Sequence, residues 1–225
     1  MKALPPGWVQ VLRLGSILWM LLQVTAPSNA QDFQSWNEVD VVANWRHGDF
    51  LVPFLARTDS AKPHPQLAAT GVVANLKMHW GLSITPGYLY ADLPQAGYKV
   101  QLPLVMLTEK VHLGRMVLAD GNRFEKLIGY PKEPVRYRNL VLVDCSFGSA
   151  VRAHAFVGDE VFFDLSAGDY NQNRFQTGAG VHLSKRLLLD LYYLQKDPVG
   201  SATIHALGSR FTVELNRRHP LNVDH

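Results

Sequence analysis

The stretch that decides the fold is Arg210–Asn216 (RFTVELN), in which apolar and polar residues alternate one by one. Phe211, Val213 and Leu215 fall on one side of an extended chain, and the polar residues between them fall on the other. A period of two residues is typical of a β-strand with one apolar and one polar face. Because the same alternation recurs in most segments from about residue 33 onward, the sequence predicts an all-β protein.

Segments of this kind are separated by turn residues along the chain. We predict strands near Phe33–Trp45, Phe50–Thr58, Val72–Trp80, Leu82–Tyr90, Tyr98–Thr108, Val111–Leu118, Asn122–Ile128, Val135–Asp144, Arg152–Leu165, Asn173–Leu183, Leu187–Gln195 and Thr203–Asn216. The sixth and seventh are divided at Asp120-Gly121, a dipeptide that favours a two-residue hairpin turn. Twelve strands result, or eleven without that turn, and ten if further segments merge. Ala61–Gln66 is predicted to be a loop because it contains Pro63 and Pro65.

The first thirty residues differ from the rest of the chain. The basic residues Lys2 and Arg13 precede an apolar run, Leu14–Val24, and the small residues Ser28-Asn29-Ala30 follow it. This order is typical of a secretory signal peptide with a cleavage site before Gln31. The run is shorter than the about 20 residues that a membrane-spanning helix requires. The sequence therefore predicts an exported protein.

Composition excludes several classes of partner and cofactor. The leader contains two of the 22 basic residues and none of the 19 acidic ones, so the remaining chain carries a net charge of only +1. Without a basic cluster, nucleic acid is not an expected partner. The single cysteine, Cys145, excludes an internal disulfide. The nine histidines show no metal-ligand spacing and no nucleotide motif is present, so we predict no metal and no cofactor.

An exported chain of alternating strands fits a bacterial outer-membrane barrel. In hydrocarbon every backbone polar group must be paired internally, so strands can span a membrane only as a closed barrel. We predict a closed antiparallel up-and-down β-barrel of 10–12 strands over residues 31–216, after a signal peptide (1–30) and before a C-terminal tail (217–225). It is expected to be a monomer whose partners are membrane lipid and the outer-membrane assembly machinery. The alternative is a periplasmic soluble β-barrel that binds an apolar ligand, because reversed faces give the same alternation.

Several short motifs occur in a fixed order along this chain. They are Gln31-Asp32-Phe33-Gln34 with Trp36, Asn122-Arg123-Phe124-Glu125, Tyr137-Arg138-Asn139, Asp159–Phe163 and Asn173-Arg174-Phe175. In this order they resemble the bacterial family catalogued as domain of unknown function 2490 (DUF2490). The resemblance implies a shape like that of outer-membrane barrels, and it brings no established activity, ligand or catalytic residue. Two features depart from the family pattern: Leu140 stands where an arginine usually follows Tyr-Arg-Asn, and the chain does not end on an aromatic residue.

Charged residues on the polar faces are the candidate functional residues. Arg123 and Glu125 are two residues apart and so share one side of a strand, as do Arg136 and Arg138. In a barrel these side chains point inward, where arginine and carboxylate groups can pair. The predicted lumenal charge network comprises Glu38, Asp40, Arg123, Glu125, Arg136, Arg138, Glu160, Arg174 and Asp190. Its role is either mutual neutralisation or, alternatively, a charged constriction that selects solutes.

The predicted function is therefore structural, or a narrow passage for solutes or lipid through a largely plugged lumen. The chain contains no G-x-S-x-G, H-E-x-x-H or P-loop pattern, and we do not expect an enzyme. A second alternative is a lipid-modifying outer-membrane enzyme, because His79 and His182 share the polar face with serines such as Ser83. The orientation of Phe50–Thr58 stays open, since its second face mixes Leu51, Pro53, Leu55 and Arg57.

Overall fold

A computed structural model of the chain describes residues 33–59, 62–147 and 152–216. These residues form eleven strands: β1 (Phe33–Trp45), β2 (Gly48–Asp59), β3 (Lys62–Lys77), β4 (Leu82–Leu93), β5 (Tyr98–Leu113), β6 (Met116–Lys126), β7 (Val135–Phe147), β8 (Ala153–Asp164), β9 (Asp169–His182), β10 (Leu187–Pro198) and β11 (Ile204–Asn216). The predicted signal peptide and C-terminal tail lie outside the described residues. None of the described residues forms a helix long and apolar enough to cross a membrane.

The strands close into a barrel in sequence order. Each strand pairs antiparallel with the next along the chain, and β1 pairs with β11 to complete the ring. That last pairing is parallel, with Glu38 opposite Arg210. An odd number of up-and-down strands leaves the first and last strands pointing the same way, so only a parallel ladder can close the ring. The predicted all-β closed barrel is confirmed, and its count of eleven falls within the predicted range.

The hairpin turn predicted at Asp120-Gly121 is wrong. Both residues lie inside β6, where Asp120 pairs with Glu109 on one side and Val141 on the other. The two-residue turn favoured by Asp-Gly requires positive φ at both central residues, and neither residue adopts it here. The chain turns instead at Gly114, whose φ is 63°. Strands long enough to complete the barrel wall therefore override the local dipeptide preference.

The loop predicted at Ala61–Gln66 is also wrong in extent, because β3 begins at Lys62. Proline fits this first part of the strand because the ladder there is irregular. The register between β2 and β3 shifts twice, between Arg57 and Thr58 and between Thr58 and Asp59. Proline removes a ladder hydrogen bond and is confined to such irregular or terminal positions of a sheet.

Alternation places two different surfaces on the two sides of the wall. The outer side exposes large apolar side chains on every strand from β2 to β11, among them Phe54, Val105, Val141, Leu191 and Leu207. The inner side contains most of the buried carboxylates. We call the end of the barrel that carries the β2–β3, β4–β5, β6–β7, β8–β9 and β10–β11 connections the lower end, and the opposite end the upper end.

Two groups of buried apolar residues pack inside the barrel. One contains Trp36, Phe156, Tyr192, Leu194 and Ala206, contributed by β1, β8, β10 and β11. The other contains Ala91, Val100, Leu102 and Leu127, from β4, β5 and the residue after β6. Because these groups lie on different walls, the space between them is left for the charged side chains and a cavity.

Candidate functional site in the barrel lumen

The lumen has one apolar wall and one charged wall around a cavity of about 700 Å³. The apolar wall comes from β2–β5 and includes Leu55, Leu89, Leu102 and Leu104. This settles the open orientation of β2: its mixed face, with Arg57, points inward. The charged wall comes mainly from β6–β11, whose inward side chains are the basic and acidic residues of the same strands.

Two buried carboxylates and four arginines form the centre of the charged wall. Glu125, whose side chain is fully buried, contacts Arg123 at 2.6 Å, Arg138 at 3.5 Å, and Arg136. Glu160 contacts Arg138 at 2.6 Å and Arg174 at 3.0 Å. We call these four arginines, together with Arg57, the arginine cluster. Arg138 links the two carboxylates, since it is the one side chain of the described residues that pairs with both.

Aromatic rings separate the guanidinium groups of the arginine cluster. The Arg57 guanidinium lies 3.6 Å from the centre of the Trp36 ring, and that of Arg174 lies 4.9 Å from the same centre. Arg174 and Arg138 also lie over the Phe162 ring, at 4.7 and 4.6 Å. Cations within about 6 Å of a ring centre are attracted to the ring face. The two rings therefore stabilise like-charged arginines that lie close to one another in the lumen.

Acidic side chains predominate nearer the upper end. Arg210 pairs with Glu38 at 3.2 Å and reaches Asp40 at 3.8 Å and Asp190 at 4.0 Å. His154 is held between two carboxylates, with Nδ1 2.5 Å from Asp144 and Nε2 2.9 Å from Asp190. The lumen is thus polarised along its axis, with the arginine cluster towards the lower end and an acidic group towards the upper end.

All nine residues of the predicted charge network lie on inward-facing positions of these strands. The structure brings Arg123, Glu125, Arg136, Arg138, Glu160 and Arg174 into one ion-pair network, and Glu38, Asp40 and Asp190 into a second around Arg210. The first strand therefore contributes to the second network and not to the first. Whether either network acts on a solute stays a prediction.

Sequence reasoning missed five charged residues of the lumen: Arg57, Asp144, His154, Lys196 and Arg210. Three of them carried a usable signal, because Asp144, His154 and Arg210 share the phase of residues already assigned to the polar faces. Arg57 did not, since both faces of β2 are largely apolar. Lys196 has the phase of Asp190 on the same strand, but it lies one residue beyond the predicted strand Leu187–Gln195.

The residues considered for hydrolytic chemistry do not come together. His182 lies beside a small cavity of about 330 Å³ at the upper end, which Ser146 and His154 also line. His79 lies in the connection after β3, and Ser83 is buried near the start of β4. Both ring nitrogens of His154 are occupied by carboxylates, so this ring is not free to activate Ser146. Among the described residues, no group of three or more His, Cys, Asp or Glu side chains is arranged to hold a metal ion.

Fold and lumen together define the class of this protein: a closed β-barrel with an apolar outer face and a lumen lined on one side by charged residues, most of them in ion pairs. A model of the family described as protein of unknown function (DUF2490) matches residues 18–197. The match spans 180 of 225 residues, and the chain belongs to this family, which confirms the resemblance read from its motifs. No curated protein matches this chain.

Proposed function

We propose that this protein is a bacterial outer-membrane β-barrel with a largely plugged lumen, structural in role or a narrow passage for a solute or lipid. The observation that carries the proposal is the apolar outer face. Large hydrophobic side chains are exposed on ten successive strands, β2 to β11. The largest apolar patch on a typical soluble monomer covers only about 300–600 Å². An apolar outer face that continues over ten strands favours lipid over water as the surrounding medium.

The distribution of charge supports the same proposal. A soluble barrel of the lipocalin kind has a solvated outer face and an apolar interior. Here Glu125, Glu160 and Asp190 are buried inside, and Leu191, which adjoins Asp190, is 51% exposed outside. Alternation of apolar outward and polar inward residues is the pattern of transmembrane barrels.

Several of the polar side chains on the outer face are hydrogen-bonded to one another. Asn139 donates to Asp120 at 2.6 Å, and Tyr137 donates to Asn122 at 2.6 Å. A hydrogen-bonded polar group is far less costly to bury than an unpaired one. These pairings make the outer face of β6 and β7 compatible with a non-aqueous environment.

The arginine side chains inside the lumen are the basis for expecting a low rate of solute or lipid passage. Arg174 of β9 reaches both Glu160 on β8 and the Trp36 ring on β1, and Arg138 of β7 pairs with the same Glu160. The ion pairs at this level contain charges of both signs, so they do not form a ring of a single sign. We expect passage of solute or lipid to require displacement of these side chains.

Fractionation of cells that express the full chain tests the proposal. We expect recovery in the outer membrane after a carbonate wash, with different gel mobility before and after boiling. Leu191→Arg introduces a charge into the apolar belt and is expected to abolish insertion, since such a residue costs about 2–4 kcal/mol at the bilayer midplane. Val199→Arg adds the same charge in the exposed β10–β11 turn and is the matched control.

Recovery of the unaltered protein in the soluble periplasmic fraction would refute a membrane location. So would equal membrane recovery of Leu191→Arg and Val199→Arg. Either outcome would favour the alternative, a periplasmic barrel that binds an apolar ligand inside.

A further inference from the structure

The lower half of the lumen contains more positive charge than its carboxylates neutralise. Glu125 and Glu160 pair with four arginines. Arg57 and Lys196 line the same cavity, as does one further carboxylate of this half, Asp164. Within the part of the chain that the structure describes, neither Arg57 nor Lys196 forms an ion pair, so six cations face three carboxylates. We propose that this cavity binds an amphiphile with one anionic headgroup. Its headgroup is held by Arg57 and Lys196, and its chain lies along the apolar wall.

The surroundings of Lys196 are the first argument for an anion. Lys196 lies directly across the β9–β10 ladder from Arg174. The charged side chains that act on it are Arg174, Arg57 and Arg136, and all three are cations. A half-buried cation among like charges is unfavourable unless a counter-charge is supplied. A bound carboxylate or phosphate supplies that charge.

Arg57 and Arg174 supply the second argument, from hydrogen bonding. The Nε atom of each is buried and has no hydrogen-bond partner among the described residues. Buried polar groups in folded proteins are satisfied in the great majority of cases, so each exception calls for an explanation. Arginine recognises carboxylate and phosphate oxygens through just such N–H groups. The two guanidinium groups lie 3.6 and 4.9 Å from the centre of the Trp36 ring, and the Nε atom of Arg123, on the same cavity, is likewise unpaired.

The apolar wall indicates that the ligand is more than a small anion. Six side chains of β2–β5 line the same cavity towards the lower end: Leu55, Leu67, Ala91, Leu93, Val100 and Leu102. The cavity volume of about 700 Å³ lies within the about 300–1,000 Å³ typical of small-molecule sites. An apolar surface facing a basic surface is complementary to an alkyl chain with an anionic head, whereas a neutral lipid leaves the cations unpaired.

The cavity extends to the lower end of the barrel, where Tyr130, Pro134 and Pro198 line it. A ligand can therefore enter from that end along the axis. The inference does not depend on the membrane location, because the strands enclose the cavity in either environment.

A binding titration tests the proposal. The full protein is placed in phosphatidylcholine nanodiscs, or in buffer if it fractionates as a soluble protein, and titrated with 11-(dansylamino)undecanoic acid, with empty nanodiscs as blank. We expect saturable binding that weakens about tenfold in Arg57→Gln and in Lys196→Gln, since a hydrogen bond to a charged group contributes about 1.5–3 kcal/mol. Lys126→Gln removes an exposed cation from the same end of the barrel and should leave affinity unchanged.

Competition on the unaltered protein separates the headgroup from the chain. Dodecanoate and dodecyl phosphate should displace the probe, and the tighter of the two identifies a carboxylate or a phosphate headgroup. Acetate and inorganic phosphate lack the alkyl chain and should compete at least tenfold more weakly than dodecanoate. The methyl ester of the probe lacks the anionic headgroup and should bind at least tenfold more weakly than the acid. Lys196→Gln relieves repulsion between cations, so this variant should still fold. It should show the same difference in gel mobility before and after boiling as the unaltered protein.

Three results would overturn the proposal: equal affinities in Lys196→Gln and Lys126→Gln, equal binding of the acid and its ester, or competition by acetate as effective as that by dodecanoate. The first two results would show that the cations do not bind the headgroup, and the third would show that the apolar wall does not bind the chain. None of these results bears on where the protein fractionates, so failure here is distinct from failure of the membrane proposal.

Discussion

Removing the charge of Glu125 should destabilise the barrel strongly. Its side chain is fully buried and contacts three arginines. Arg123 and Arg136 have no other carboxylate partner among the described residues, whereas Arg138 keeps Glu160. Glu125→Gln therefore leaves two half-buried cations without a counter-charge. Breaking one buried ion pair costs about 3–5 kcal/mol, so the free energy of unfolding should fall by at least that amount.

Urea unfolding of the purified barrel in lipid vesicles, followed by tryptophan fluorescence, measures this loss. With a denaturant dependence of about 3 kcal/mol per molar urea, the midpoint should fall by about 1 M or more. Glu109→Gln is the matched control, because Glu109 is exposed and lies opposite Asp120 across the β5–β6 ladder. Like charges directly opposite each other are destabilising, so this variant should lose no stability. Equal midpoints for the two variants would refute the assignment of Glu125 as the anchor of the arginine cluster.

Three further outcomes follow from the packing of the wall and the lumen. Gly208→Ala should cost about 1–3 kcal/mol in urea unfolding, because the added Cβ would lie 2.1 Å from the Tyr192 ring. Gly121→Ala, where the nearest atom is 3.7 Å away, should unfold at an unchanged midpoint, and a loss equal to that of Gly208→Ala would contradict the packing. Asp120→Leu should raise the midpoint in lipid vesicles because it removes a charge from the outer face while Asn139 keeps its hydrogen bond to Asn122; a lower midpoint would place that face in water. The unaltered protein should give no steady ionic current in planar bilayers, and a stable open channel would contradict the plugged lumen.

Alternation predicted the orientation of the strands with one polar face. In β10 and β11 the residues Asp190 and Arg210 point inward and Leu191 and Phe211 point outward, because a slip by one residue would move every side chain to the other face. Alternation did not predict which face of β2 points inward. Both of its faces are largely apolar, and only closure of the barrel determines which face meets the charged wall.

Closure is also the reason that the arginine cluster could be predicted only in part. Pairs on neighbouring strands, such as Arg136 with Glu125, follow from the order of the strands. The approach of Arg57 on β2 to Trp36 on β1 follows in the same way. The electrostatic repulsion between Arg57 and the cations Arg174 of β9 and Lys196 of β10, by contrast, acts between residues more than 100 positions apart across the seam between β1 and β11. That seam is parallel, and no local pattern in either strand encodes it.

The central claim is that the apolar outer face of the barrel contacts lipid while the charged side chains point into the lumen. Spin labels placed one at a time along β10, in a Cys145→Ser background, test it directly. In phosphatidylcholine bilayers, labels at Leu191 and Tyr193 should be accessible to oxygen and shielded from a water-soluble nickel complex. Labels at the inward positions Leu188 and Leu194 should be poorly accessible to oxygen, which gives a period of two residues. Outward labels as accessible to the nickel complex as a label in an exposed turn would contradict the account.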